Sequence, residues 1–438
     1  MQKLFLPLNI AAVLLCPLFA QAEPLSVGKP LAQASSNSLA ATLASPPIPA
    51  QLTLAAAVAL AINNHPEMAS AKHEILAGTA AIRQAHMPPN PELSIVMEDI
   101  PQDRRSTSVQ INQALELGGK RGTRTQLAQF QRSAAENELR IKAAEIRAAV
   151  SKHFFAVLIA QERQRLAISS MELAQRSSQA ANKQVSLGKI APLEANKAAV
   201  AQSAVRLELA QANSELQIAK QSLAASLGGS FPAEQQFVGN FNTLPALPKL
   251  ETLLQSMPQS ALAQRAQIEV DKRVAMIAFE KSQRVPDLNL SFGAKREQET
   301  GRQQVILGLS IPLPLFERSN LQEALARSDK AREELRASEN RLHSELRQAH
   351  QRLSLAREQA ELLEKEVLPI AQNAFDSAIK GFEYGKFNFL DVLDAQRSLL
   401  QAKTQYLRTL FDAQQAASEI QVFIGERDSS LLLATSSF

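Results

Sequence analysis

Gly188-Lys189-Ile190-Ala191-Pro192-Leu193-Glu194 returns later in the chain as Gly385-Lys386-Phe387-Asn388-Phe389-Leu390-Asp391, at an offset of 197 residues. Each copy reads as a tight Gly-Lys turn followed at once by a new helix. Outward from this pair the correspondence continues. Pro91-Glu92-Leu93-Ser94-Ile95 matches Pro286-Asp287-Leu288-Asn289-Leu290 at 195, and Val109-Gln110-Ile111 matches Val305-Ile306-Leu307 at 196. Leu227-Gly228 matches Ile424-Gly425 at 197. Offsets this steady imply one unit written twice, with a period far longer than that of solenoid repeats.

Within each copy the order is helix, strand pair, very long helix, turn, helix. Leu93, Ile95 and Met97 alternate with Glu92 and Ser94, and Val109 and Ile111 alternate with Gln110 and Asn112 on the far side of a charged tip. Period 2 on both sides of a polar connection predicts a β-hairpin over 91–117, and the same pattern predicts a second over 286–312. From about Gly119 to Leu187, and from about Glu317 to Tyr384, helical composition runs without strong breakers, which at 1.5 Å per residue gives rods on the order of 100 Å. In the second rod Leu342, Leu346, Ala349, Leu353, Ala356, Ala360, Leu363, Val367, Ile370 and Ala374 step by threes and fours. That is a coiled-coil seam; Pro369 should kink this rod or loosen one turn of it.

Composition agrees. Gly numbers only 15 in 438 residues and Trp is absent, which suits long helices. The 47 basic and 43 acidic residues nearly balance, so no nucleic-acid footprint is indicated. Lys3, the apolar stretch Leu4 to Phe19 and Ala20-Gln21-Ala22 read as a signal peptide over 1–22. The single cysteine, Cys16, falls inside it; lipidation is the alternative, although Leu15 stands where a lipobox wants a small residue. Residues 23–51 read as an extended Pro/Ala/Ser-rich leader, 52–228 as the first repeat, 229–251 as a linker, 252–426 as the second repeat and 427–438 as a tail. No later run is apolar enough for a membrane helix.

Two hairpins per chain cannot close a sheet, and open edges aggregate. Pooling strands between subunits into a barrel solves both problems and suits a bilayer. The order of elements, Leu368-Pro369-Ile370-Ala371, and above all the run from Tyr384 to Gln396 (Tyr-Gly-Lys-Phe-Asn-Phe-Leu-Asp-Val-Leu-Asp-Ala-Gln) resemble the trimeric outer-membrane efflux factors, the TolC-like family. Glu116-Leu117-Gly118-Gly119-Lys120-Arg121 resembles its heavy-metal branch, the cobalt-zinc-cadmium type component of tripartite RND pumps.

The resemblance implies a mainly α fold with a small β part: a homotrimer with four strands per protomer in an outer-membrane barrel, continuous with a periplasmic α-helical barrel. It implies a passive exit duct for divalent heavy-metal cations, reached through a periplasmic adaptor from an inner-membrane RND pump. A multidrug or type I secretion channel is the alternative, and a periplasmic coiled-coil scaffold without a pore is an alternative of another class. Outer-membrane lipid is a further partner; nucleic acid is not.

Asp391 and Asp394, at i and i+3 after the second turn, share a helix face. By resemblance they are aperture residues, six carboxylates in a trimer; alone, they also suit the dipole of a solvated helix N-terminus. The first copy has Glu194 and Lys197 instead. Gly188, Lys189, Ile190, Gly385, Lys386 and Phe387 are the tip residues that adaptor contact would use. Phe382 and Phe387 stand where some family members carry a polar lock. Gly118 and Gly119 supply the bend from barrel to helix. His65, His73, His86, His153, His343 and His350 show no ligand spacing, and no catalytic, cofactor or metal motif occurs, so no enzyme, cofactor or metal site is expected.

Overall fold

The computed structural model describes residues 51–98, 105–188, 190–229, 235–313, 320–384, 386–387 and 389–424. The proposed signal peptide, nearly all of the leader, the first hairpin tip at 99–104 and the tail lie outside the described residues, as do Lys189 and Gly385. A two-residue strand β1 (Gln51–Leu52) leads into α1 (Leu54–Asn64), whose first turn is capped by Thr53 Oγ1 accepting the Ala56 N–H at 3.4 Å. His65 ends α1 and starts α2 (Pro66–His86), its Nδ1 accepting the Glu67 N–H while Pro66 fills the first helical position. Strands β2 (Glu92–Glu98) and β3 (Ser106–Leu115) follow.

The first rod is one helix, α3 (Lys120–Ser186) of 67 residues, and α4 (Pro192–Ser226) folds back along it. Between the halves, β4 (Gln236–Phe237) pairs in parallel with β1, so Gln51 belongs to a strand and the 229–251 segment contains one. Then come α5 (Leu250–Ser256), a 3-10 turn (Met257–Gln259) and α6 (Ala261–Gln283), which Ser260 caps. Strands β5 (Leu288–Glu297) and β6 (Gln303–Ser310) precede α7 (Leu321–Leu362). A π-turn (Leu363–Val367) separates α7 from α8 (Leu368–Glu383), and α9 (Phe389–Phe423) returns.

Two apolar cores hold the rods. Ile146, Val150, Phe154 and Val157 of α3 are buried with Leu52, Ala57 and Ala61, with Leu216 and Leu223 of α4, and with Phe237. Leu342, Leu346, Ala349 and Leu353 of α7 are buried with Leu253, Ala413, Ala416, Ala417 and Ile420. The alanines of α9 let it lie close to the leucine row, the packing a coiled-coil seam demands. Up to Ala360 the expected seam is buried. Beyond the π-turn the expectation fails: Val367, Ile370 and Ala374 are exposed, and Ala371, Phe375, Ala378 and Phe382 turn inward instead. The turn inserts one residue, and at 3.6 residues per turn this rotates every later side chain by about 100°.

The strands form a four-stranded antiparallel sheet in the order β2-β3-β5-β6, leaving β2 and β6 as edges. Register aligns Leu93, Ile111, Phe292 and Leu307 in one row across all four strands, and Ile95, Val109, Ala294 and Val305 in the next. Leu93, Phe292 and Leu307 are 63%, 63% and 79% exposed, so this apolar face has no cover among the described residues. The other face is polar, with rows such as Glu92, Asn112 and Ser291, and a Glu98–Lys295 ion pair of 2.7 Å. Alternation at period 2 therefore separates a greasy face from a wet one.

Candidate functional site

The passage from β3 to α3 is built by Glu116 to Arg124. Gly118 and Gly119 both lie in the left-handed region, with φ of 68° and 74°, and reverse the chain direction within two residues. Only glycine fits at 118, because a Cβ there would sit 2.7 Å from Val285 Cβ; at 119 the space is open. Lys120, the first residue of α3, is buried and places its Nζ 2.8 Å from Asp287 Oδ1 at the foot of β5. The same carboxylate oxygen accepts the Leu117 N–H at 3.1 Å. One turn on, Arg124 pairs with Glu116 and donates to the carbonyls of Ala85 (2.9 Å) and Met87 (3.0 Å), pinning the end of α2. The Glu116 hydrogen bond holds the guanidinium charged. Thr123 and Ser282 share a hydroxyl hydrogen bond of 3.0 Å, which ties α3 to the end of α6. The Glu-Leu-Gly-Gly-Lys-Arg string is thus a joint between sheet and rods. Asp287 and Arg124, which complete it, carry no signal in the sequence, since their partners are set by the fold alone.

At the opposite end of the rods lie the two hairpin tips. Gly188 takes φ 67° and closes the first turn with its N–H on Val185 carbonyl oxygen at 2.9 Å. Ile190 is half-buried, packed against Ala181 of α3 and Ala198 of α4. Phe382 and Leu393, from α8 and α9, pack against that same pair, so the two tips of one chain meet in an apolar contact. In the second turn the N–H groups of Lys386 and Phe387 both donate to Gly381 carbonyl oxygen, at 2.8 and 3.2 Å. The Phe387 ring lies directly on Gly381, where no Cβ could fit, and remains half exposed. Lys386 is exposed. Asp391 and Asp394 sit on the first turns of α9, both exposed and three residues apart on one face.

Among the described residues, no group of three or more His, Cys, Asp or Glu is arranged to hold a metal ion. His65 caps a helix, His86 contacts Arg121, and His350 meets the Pro248 carbonyl oxygen. Among the described residues no helix is long and apolar enough to cross a membrane.

Known proteins share this arrangement. Residues 57–229 and 256–426 match the family described as outer membrane efflux protein. The cobalt-zinc-cadmium resistance protein CzcC of Cupriavidus metallidurans is 40% identical over 427 residues, covering 97% of this chain and 100% of the relative. The solved structure of CusC superposes with a TM-score of 0.71 at 19% identity, over 85% of this chain and 92% of that one. The Campylobacter jejuni CmeC outer membrane channel gives 0.73 at 14% identity, over 86% and 87%. At such identities the structural likeness speaks for the fold, while the sequence matches speak for descent. The chain belongs to the outer membrane efflux protein family.

Proposed function

We propose that three copies of this chain form a passive exit duct for divalent heavy-metal cations, fed by an inner-membrane RND pump through a periplasmic adaptor. The observation that carries the duct is the sheet: two apolar rows cross all four strands, uncovered among the described residues, between the edge strands β2 and β6. Three such sheets joined edge to edge make a closed twelve-stranded barrel with lipid outside and polar side chains within. The rods then continue from the barrel as a periplasmic helical tunnel. A second row supports the same assembly. Leu193, Val200 and Leu207 recur every seven residues along α4 and are 59%, 71% and 72% exposed, a seam that another copy would cover. The matched order of elements in the two halves supports a tandem duplication. The cargo assignment rests on the relative named for cobalt, zinc and cadmium resistance.

In the trimer, Asp391 and Asp394 contribute six carboxylates around the axis at the tip. Such a ring attracts cations and repels itself, so it both filters and favours opening. Gly188, Lys189, Ile190, Gly385, Lys386 and Phe387 form the end that the adaptor meets, with Ile190 and Phe387 partly committed to contacts of their own chain. Purified trimer in planar bilayers tests this directly. The proposal expects a cation-selective conductance blocked by polyvalent cations, with Asp391→Asn/Asp394→Asn weakening both selectivity and block. Unaltered selectivity in the double variant would remove the aperture assignment, and absence of any conductance would remove the duct.

A further inference from the structure

The row Leu342, Leu346, Ala349, Leu353, Ala356 and Ala360 is buried. Continued at the same steps it reaches Leu363, Val367, Ile370 and Ala374, then the small residues Ser377 and Gly381. That continuation is apolar or small throughout, so it could pack as a regular helix. The chain packs otherwise. Leu368 donates its N–H to Leu363 carbonyl oxygen, five residues back, and the row that turns inward is Ala371, Phe375, Ala378 and Phe382. Ala378 is 6% exposed while Ile370 is 68% exposed.

Pro369 is the local cause. It has no N–H to give Lys365 carbonyl oxygen, and in a regular helix its ring would strike that carbonyl; the widened π-turn relieves the clash. The helix therefore carries two apolar rows about 100° apart, and one proline tips the balance between them.

We infer that α8 has two packing registers on α9, with the π-turn at Leu363–Val367 as the switch between them. The bulged register buries Ala371, Phe375, Ala378 and Phe382. The regular register buries Val367, Ile370 and Ala374, and rotates Phe382 away from Ala181 and Ala198. It thereby removes the Phe382 share of the apolar contact through which the two tips of one chain meet, leaving Leu393. Packed helices have discrete arrangements rather than a continuum, so a one-residue insertion suits a two-state element. Only the consequence, that the switch loosens the periplasmic end of a duct, rests on the proposed function; the registers stand apart from it.

Because Cys16 is the sole cysteine, single cysteines elsewhere report cleanly once it is replaced by Ser. Ile370→Cys and Ala378→Cys, each in the full chain in outer membranes, are labelled with a membrane-impermeant maleimide in three backgrounds. In the native background position 370 labels several-fold faster than 378. Pro369→Ala restores the donor and removes the clash, so it favours the regular register and narrows or inverts that ratio. Deletion of Lys365 combined with Pro369→Ala removes both the inserted residue and the clash, so an unbroken α-helix keeps the present register and the native ratio. An unchanged ratio in Pro369→Ala would overturn the switch. So would protection of position 370 in all three backgrounds, which would make that row a permanent contact between copies. Failure of that doubly altered chain to accumulate while Pro369→Ala alone folds would overturn it too, since the doubly altered chain retains the packing of the bulged register. A chain that conducts nothing would leave these ratios unaffected, so the two readings fail separately.

Discussion

Lys120 and Asp287 form a 2.8 Å ion pair that joins the first residue of the first rod to the foot of a strand from the other half of the chain. The lysine is buried and the carboxylate is only 31% exposed, so the pair is largely withdrawn from water. Removing one partner strands a charge, which costs more than the intact pair contributes. Asp287→Ala should destabilise the folded chain by about 1–3 kcal/mol. The double variant Lys120→Met/Asp287→Leu should cost less than the single change. Denaturant unfolding of the native chain and both variants checks both statements.

The adjoining glycines separate conformational strain from crowding. At Gly119 alanine meets no neighbour, and only the left-handed φ of 74° opposes it, a cost of about 1 kcal/mol. At Gly118 the same strain is joined by collision with Val285, raising the cost to about 2–4 kcal/mol. Thermal melts of Gly118→Ala and Gly119→Ala should rank in that order, and Gly118→Ala/Val285→Ala should recover part of the difference.

His153, half-buried in α3, has its pKa pushed below the ordinary range by burial and, next, by the neighbouring Lys152 charge. Above about pH 7 the imidazole is neutral whether folded or not, and contributes nothing to pH dependence. As pH falls through the ordinary histidine range, near 6.5, the unfolded chain takes up the proton first, so the folded chain loses stability. The loss stops growing once pH passes the lowered value. Unfolding midpoints at pH 7.5 and 5.5 should therefore differ less in His153→Gln than in the native chain.

Contact between the tips should depend on apolar packing. Phe382→Ala removes a large ring from the cluster with Ala181, Ala198, Ile190 and Leu393. The expected outcome is faster hydrogen exchange in the last turns of α3 and α8, with the cores around Phe154 and Leu346 unaffected. Phe382→Leu should restore most of the protection.

Much of the architecture could be read before any coordinates. Leu93, Ile95 and Met97 announced a strand by alternation, and Gly188 announced its turn by needing a positive φ. Pro369 announced a weakened turn. The direction of the helix beyond it was hidden, because Val367–Ile370–Ala374 and Phe375–Ala378–Phe382 are both plausible apolar rows, and periodicity cannot choose between rows one residue apart. Tertiary contacts were equally hidden. Nothing local says that Lys120 pairs with Asp287, that Arg124 clamps Met87, or that Ile190 packs inward at its tip. The proposed aperture pair, Asp391 and Asp394, was legible as a shared face, while its role depends on neighbours that a single chain does not supply.

The most direct test of the central claim is growth of a strain lacking this protein across zinc, cobalt, cadmium, nickel, copper and silver, beside a panel of dyes, detergents and antibiotics. The account predicts sensitivity to one or a few divalent metals, reversed by the native gene, with tolerance of the organic compounds unchanged. Sensitivity to the organic compounds with normal metal tolerance would contradict it.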